Sequence, residues 1–159
     1  MSDRYLPDAW VVPLIDERNE AFFTSGALRL TRCRSCGHVQ HPPGEVCTRC
    51  QAFDFGHVDA APHGSIASFT LVHHAVNDQL AEAVPYNVVV VELDQFPHVR
   101  IVGNVIDATP AELCIGRTVT CDWVDVAVNQ GDIETVRLPQ WRLDPPTIRR
   151  DSDEEVRRA

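Results

Sequence analysis

The chain has 159 residues, with 23 acidic and 14 basic side chains and a formal charge of −9 at pH 7. Its hydrophobic fraction of 44% excludes wholesale disorder, and its length predicts one domain with at most a small appendage. Every basic residue is arginine, which excludes a lysine Schiff base, a lysine general base or a P-loop lysine, and the net acidity disfavours a phosphate backbone as partner.

The charge is uneven. Residues 1–26 carry five acids against two arginines, residues 27–56 two against four, and residues 57–138 eleven against three; residues 139–159 are balanced. The start, Met-Ser-Asp-Arg-Tyr, has an acid at position 3 and no apolar leader follows it. The most hydrophobic run, residues 88–91, is far below the roughly 20 residues that span a bilayer. These features predict a cytoplasmic protein without a membrane partner, so the six cysteines need an explanation other than disulfides.

Within the N-terminal segment, 1–26, residues 13–26 read as a short helix. Asp16, Glu17 and Glu20 complement its dipole early, and Gly26 is placed to stop it. Leu14, Ile15, Phe22 and Phe23 would share one apolar face, available to the body of the protein or to a partner.

Residues 27–56 hold the strongest signal. The chain runs Arg-Leu-Thr-Arg-Cys33-Arg-Ser-Cys36-Gly37-His-Val-Gln-His-Pro-Pro and then Cys47-Thr-Arg-Cys50. Each Cys-x-x-Cys pair turns tightly enough to aim two thiolates at one ion, and ten residues between the pairs allow a strand, a turn and a return. Four thiolates about 2.3 Å from a tetrahedral Zn²⁺ make a closed, structural site, so the expected ligands are Cys33, Cys36, Cys47 and Cys50 in a rubredoxin-like zinc ribbon. Gly37 suits the positive φ of such a turn. Iron takes the same four ligands. A redox Cys-x-x-Cys would instead open a helix beside a βαβ unit. His38 and His41 read as ribbon surface residues, because four cysteines already complete the ligand set. Zinc ribbons occur in nucleic-acid machinery, but four arginines here, followed by a strongly acidic region, disfavour that partner.

Residues 57–143 read as a five-stranded barrel, with strands expected at 64–75, 86–93, 99–105, 118–128 and 133–138. Val99, Ile101, Gly103 and Val105 alternate with polar or exposed positions and mark an inner face. In the fourth strand Val119, Cys121 and Trp123 share one face while Val124 and Val126 take the other, which predicts a bulge near Trp123. Between the third and fourth strands, Thr109-Pro110-Ala111-Glu112 makes a capping box for a short helix. Five strands with a helix in that place is the layout of an OB fold, with an SH3-like barrel as the structural competitor. Cys114 and Cys121 lack partner spacing and read as small apolar or half-buried positions. His73 and His74 end the first strand, where at most one of them can face a ligand. Residues 144–159 read as a flexible tail, strongly polar from Asp151 to Ala159.

The combined order of motifs is more specific than any one of them. The cysteine ribbon is followed by Gly64-Ser-Ile-Ala-Ser-Phe-Thr-Leu-Val-His, by Pro85-Tyr86-Asn-Val-Val-Val-Val-Glu92-Leu93-Asp94, by Ile115-Gly116-Arg-Thr-Val and by Leu138-Pro139-Gln-Trp141-Arg142. Over roughly residues 10–143 the chain resembles the family of zinc-ribbon OB-fold proteins associated with acyl-CoA metabolism. Gln95-Phe96-Pro97 departs from that family's acidic-glycine turn. The resemblance implies a small, non-catalytic subunit of a hetero-oligomer with structural zinc. Its partner would be a thiolase-like acyltransferase or an aldolase, or alternatively a MaoC-type enoyl-CoA hydratase. On that reading Arg32, Arg34 and Arg49 are candidates for the phosphates of coenzyme A, since a guanidinium fork suits phosphate; otherwise they are solvated ribbon charges. A stand-alone acyl-CoA-binding module and a nucleic-acid-binding module are the remaining alternatives.

Overall fold

A computed structural model describes residues 5–7 and 11–145, so most of the expected tail lies outside the described residues. The N-terminal helix is shorter than its sequence signal. Helix α1 spans Glu20–Thr24 and is preceded by a turn at residues 17–19. The start is set by Asp16, whose carboxylate accepts from the backbone N–H groups of Arg18 (2.9 Å) and Asn19 (3.0 Å), while Asn19 Oδ1 accepts from the N–H of Asp16. Such side-chain bonds compete with helix upstream and favour its initiation here. The apolar face is correspondingly narrower than expected: Phe22 is buried, Ile15 and Phe23 are half-buried, and Leu14 is 81% exposed. Gly26, at φ 69°, ends the segment as expected.

Three strands build the ribbon: β1 (Leu28–Cys33), β2 (Val39–Gln40) and β3 (Phe55–Ala60), in the order β2-β1-β3. Sequence patterning did not reveal β3, which pairs with β1 along its whole length, from Leu28↔Ala60 to Cys33↔Phe55. Its residues read Phe-Gly-His-Val-Asp-Ala; Val58 and Ala60 pack half-buried on the core while His57 and Asp59 are exposed, too few apolar groups to mark a strand in sequence.

The second sheet contains β4 (His63–Val72), β5 (Tyr86–Leu93), β6 (Arg100–Gly103), β7 (Val105–Ile106), β8 (Thr118–Gln130) and β9 (Ile133–Leu143), in the order β6-β5-β4-β8-β9-β7. The expected third strand is thus cut in two at Asn104. Its inner face is as predicted, with Val99, Ile101 and Val105 buried and Val102 62% exposed. The cut lets β7 leave β5 and pair in parallel with β9, Val105↔Trp141 and Ile106↔Arg142, which closes the barrel. Asn87 fastens the break: its amide donates to Val105 O (2.8 Å) and accepts from Val105 N (2.7 Å). The expected short helix is a single 3₁₀ turn at Pro110–Glu112, where Thr109 N–H donates to the Glu112 carboxylate at 2.7 Å. The architecture is that of an OB fold, with its third strand in two pieces.

No bulge lies near Trp123. The β8–β9 register is continuous from Val119↔Leu143 to Ala127↔Thr135 and shifts beyond that. The change of buried face has another cause. The odd-numbered face of β8 packs on the barrel core through Val119 and Cys121. Described residues of the N-terminal segment meet the even face, where Tyr5 N–H donates to Oε1 of Gln140, the β9 partner of Asp122 (2.7 Å), and Ile15 N–H to Gln130 Oε1 (2.8 Å). Strand β9 also extends past the expected end at 138, straight through Pro139. A proline is tolerated there because β9 has a strand on one side only until β7 joins it.

One core crosses the junction of ribbon and barrel. Phe22 of α1 and Leu28, Leu30 and Val39 of the ribbon pack into the same cluster as Ile66, Val89, Val91, Ile101 and Trp141. A polar clasp supplements it, with His98 Nε2 2.8 Å from Val39 O and the rings of His38 and His98 stacked at 5.1 Å.

Candidate metal centre

The four ribbon cysteines are brought together by two matching turns. In the first, Gly37 N–H donates to Cys33 O (2.9 Å) and Cys33 N–H to His38 O (2.8 Å). In the second, Gln51 N–H donates to Cys47 O (2.9 Å) and Cys47 N–H to Ala52 O (2.9 Å). Each turn closes on a residue four after its first cysteine with positive φ: Gly37 at 73° and Gln51 at 61°. The first was legible from its glycine. The second was not, because glutamine carries no such signal.

The Sγ atoms of Cys33, Cys36, Cys47 and Cys50 all lie within 4.8 Å of one another, with Cys33–Cys50 at 3.6 Å and Cys36–Cys47 at 3.7 Å. A tetrahedral ion with bonds of about 2.3 Å sets its sulfurs about 3.8 Å apart, so the geometry fits zinc. The electrostatics point the same way. Burial raises the Cys47 thiol, but the N–H groups of Cys50 and Arg49 and the neighbouring thiols outweigh it and bring the pKa to about 6. For Cys50 the N–H of Ala52 lowers the pKa, whereas the thiols of Cys36, Cys33 and Cys47, with burial, drive it up to about 12. A thiolate at Cys47 opposes a second at Cys50, and a cation held between them would relieve that repulsion. Zinc held there is structural, because four protein ligands leave it no open coordination position.

The other expected residues are placed as follows. His38 and His41 stand outside the thiol cluster. His38 bonds Thr48 Oγ1 at 3.1 Å. His41 is half-buried rather than exposed: its ring lies 4.5 Å from that of Phe22, and burial pushes its pKa down to about 4. Arg32, Arg34 and Arg49 are all exposed. Arg32 and Arg34 border a hollow of about 530 Å³ with Gly37, Gly56 and His57, whereas Arg49 lies nearer His38, whose pKa is lowered by burial and by the charges of His98 and Arg49. Arg34 is loosely paired with Asp54 at 3.4 Å. His73 and His74 are exposed beyond the end of β4. Cys121 is buried, its thiol pushed up to about 12 by burial and Asp122. Cys114, expected apolar or half-buried, is exposed in the loop after the 3₁₀ turn. No described helix is long and apolar enough to cross a membrane.

A two-knuckle ribbon with four convergent thiols, joined through a shared core to an OB barrel, defines a zinc-ribbon OB-fold protein. Residues 23–56 match the ChsH2 rubredoxin-like zinc ribbon domain, and residues 57–124 match the ChsH2 C-terminal OB-fold domain. The chain belongs to the DUF35 family of ChsH2-type proteins. It is 34% identical over 116 residues to a probable enoyl-CoA hydratase alpha subunit of Thermomonospora curvata, covering 71% of this chain and 35% of that protein. It is 32% identical over 89 residues to a DUF35 domain-containing scaffold protein of Methanocaldococcus jannaschii, covering 55% of this chain and 61% of that protein. The chain therefore spans about a third of the first relative's length and three-fifths of the second's. Among solved structures, the Ltp2-ChsH2(DUF35) aldolase matches with a TM-score of 0.66 and 32% identity, over 83% of this chain and 98% of that one.

Proposed function

We propose that this chain is a non-catalytic accessory subunit that binds a thiolase-like enzyme or an aldolase and supports its acyl-CoA chemistry. The observation that carries this reading is the match to the Ltp2-ChsH2(DUF35) aldolase structure, over 83% of this chain and 98% of that one. In the proposed arrangement Cys33, Cys36, Cys47 and Cys50 hold one structural zinc ion and keep the ribbon rigid against the barrel. A second reading, a subunit of an enoyl-CoA hydratase, is favoured by the 34% identity to the Thermomonospora curvata alpha subunit.

Within this reading Arg32, Arg34 and Arg49 are the candidates for coenzyme A phosphates, and they are not equivalent. Arg34 must give up Asp54 to take a phosphate. No carboxylate among the described residues pairs with Arg32 or Arg49, which leaves both guanidinium groups available. The working compartment is the cytoplasm, where thiols stay reduced for zinc.

The test is to co-express the chain with an acyl-CoA-processing enzyme encoded beside it. The expected result is a hetero-oligomer in size-exclusion chromatography, with the enzyme's turnover dependent on the chain. A monodisperse monomer that leaves turnover unchanged overturns the proposal.

A further inference from the structure

The barrel has an open seam, and its cause can be read from backbone register. Leu93 N–H donates to Val99 O (3.2 Å), and Val105 N–H donates to the Asn87 side chain. Odd-numbered residues of this stretch therefore turn their backbone groups toward β5, and even-numbered ones turn theirs the other way, toward β9. At Asn104 that outward carbonyl is satisfied, accepting from Trp141 N–H at 2.9 Å. The next rung of the same parallel ladder would run from the N–H of residue 139 to Val102 O. Residue 139 is proline and has no N–H to donate. The zipper stops there, and among the described residues the outward backbone groups of Arg100 and Val102 meet no protein donor or acceptor.

The gap is a groove of about 540 Å³ with Arg100–Asn104 along one side and Leu138–Gln140 along the other, and its apolar walls are Phe22, Phe23 and Pro42 together with Leu6, Val11 and Pro13 of the N-terminal segment. Among the described residues Arg100 is the only arginine that lines it; its side chain is 63% exposed and held loosely by Glu92 at 3.3 Å. Unpaired peptide groups at alternate residues are the template for an added strand, apolar walls favour apolar side chains on that strand, and Arg100 favours an acid beside them.

Resting on the accessory-subunit reading, we infer that β6 receives an extended segment of the partner enzyme, which adds as a strand at Arg100–Val102 and sets an acidic side chain against Arg100. Pro139 keeps the seam open for it.

The test follows backbone amide hydrogen exchange of the zinc-loaded full chain, alone and with the neighbouring enzyme. Alone, the amides of Arg100 and Val102 exchange fast while those of Ile101 and Gly103 are protected; in the complex all four are protected. Val102→Pro removes an outward N–H that the fold does not use, and it weakens the complex by roughly ten- to a hundredfold, the cost of one lost hydrogen bond that leaves the facing carbonyl unpaired. Val102→Ala, which keeps the N–H, binds nearly as the parent does, and Arg100→Glu weakens the complex.

A complex whose Val102 amide still exchanges fast overturns the inference and leaves the accessory reading standing. Protection of that amide in the isolated chain also overturns it: if independent of concentration, the chain covers its own edge, and if concentration-dependent, a second copy does. Failure of the parent chain to form any complex overturns both readings.

Discussion

His41 offers a quantitative test of how the N-terminal segment is held on the ribbon. Its ring packs on Phe22, and burial depresses its pKa to about 4, against about 6.5 in an unfolded chain. Between those values the unfolded chain binds the proton and the folded one does not, so stability is full above pH 6.5 and falls as the pH drops toward 4. From pH 7.5 to 5.0 the two values give a loss of about 2 kcal/mol from this residue alone. The assay is urea unfolding at both pH values, with zinc in excess, for the parent chain and His41→Phe. Phenylalanine keeps a ring against Phe22 and cannot titrate. Carboxylate and thiol contributions are shared by both proteins, so the parent should lose about 2 kcal/mol more than the variant. Equal losses would refute the claim that the packing on Phe22 holds His41 in its neutral form.

Three further outcomes are expected. Native mass spectrometry should find one zinc per chain, and Cys47→Ser should lose it together with the ribbon's protection against proteolysis; full zinc retention by the variant would contradict four-thiolate ligation. Leu30→Ala, at a wholly buried position in the core shared by ribbon and barrel, should cost about 2–5 kcal/mol in denaturant unfolding. Gly64→Ala should be as damaging despite adding one methyl group, because its Cβ would collide with the Glu92 carbonyl across the β4–β5 ladder; a variant melting within a degree or two of the parent would contradict that packing.

What could be read from sequence followed from how local each signal was. The cysteine spacing and Gly37 specify a knuckle within a few residues, and β5 shows its apolar run from Tyr86 to Leu93. The capping box at Thr109 is similarly self-contained. Features set by distant residues were hidden. Strand β3 exists because β1 supplies its ladder, and Gln51 takes positive φ because the second knuckle requires it. The break at Asn104 depends on Asn87, seventeen residues earlier. The change of buried face in β8 looked like a bulge because the sequence does not show that the N-terminal segment covers the other side. At the metal centre the clustering of the thiols was legible, whereas the pairing of Arg34 with Asp54 and the burial of His41 against Phe22 were not.

The account's central claim is that this chain serves a catalytic partner. The most direct measurement is acyl-CoA turnover by the neighbouring thiolase-like, aldolase or hydratase enzyme, titrated with the zinc-loaded chain while the mass of the assembly is followed by light scattering. The account predicts that turnover rises with added chain and saturates at a fixed ratio, at the point where a single hetero-oligomer replaces the separate species. Turnover independent of the chain, with both proteins eluting at their own masses, would contradict it.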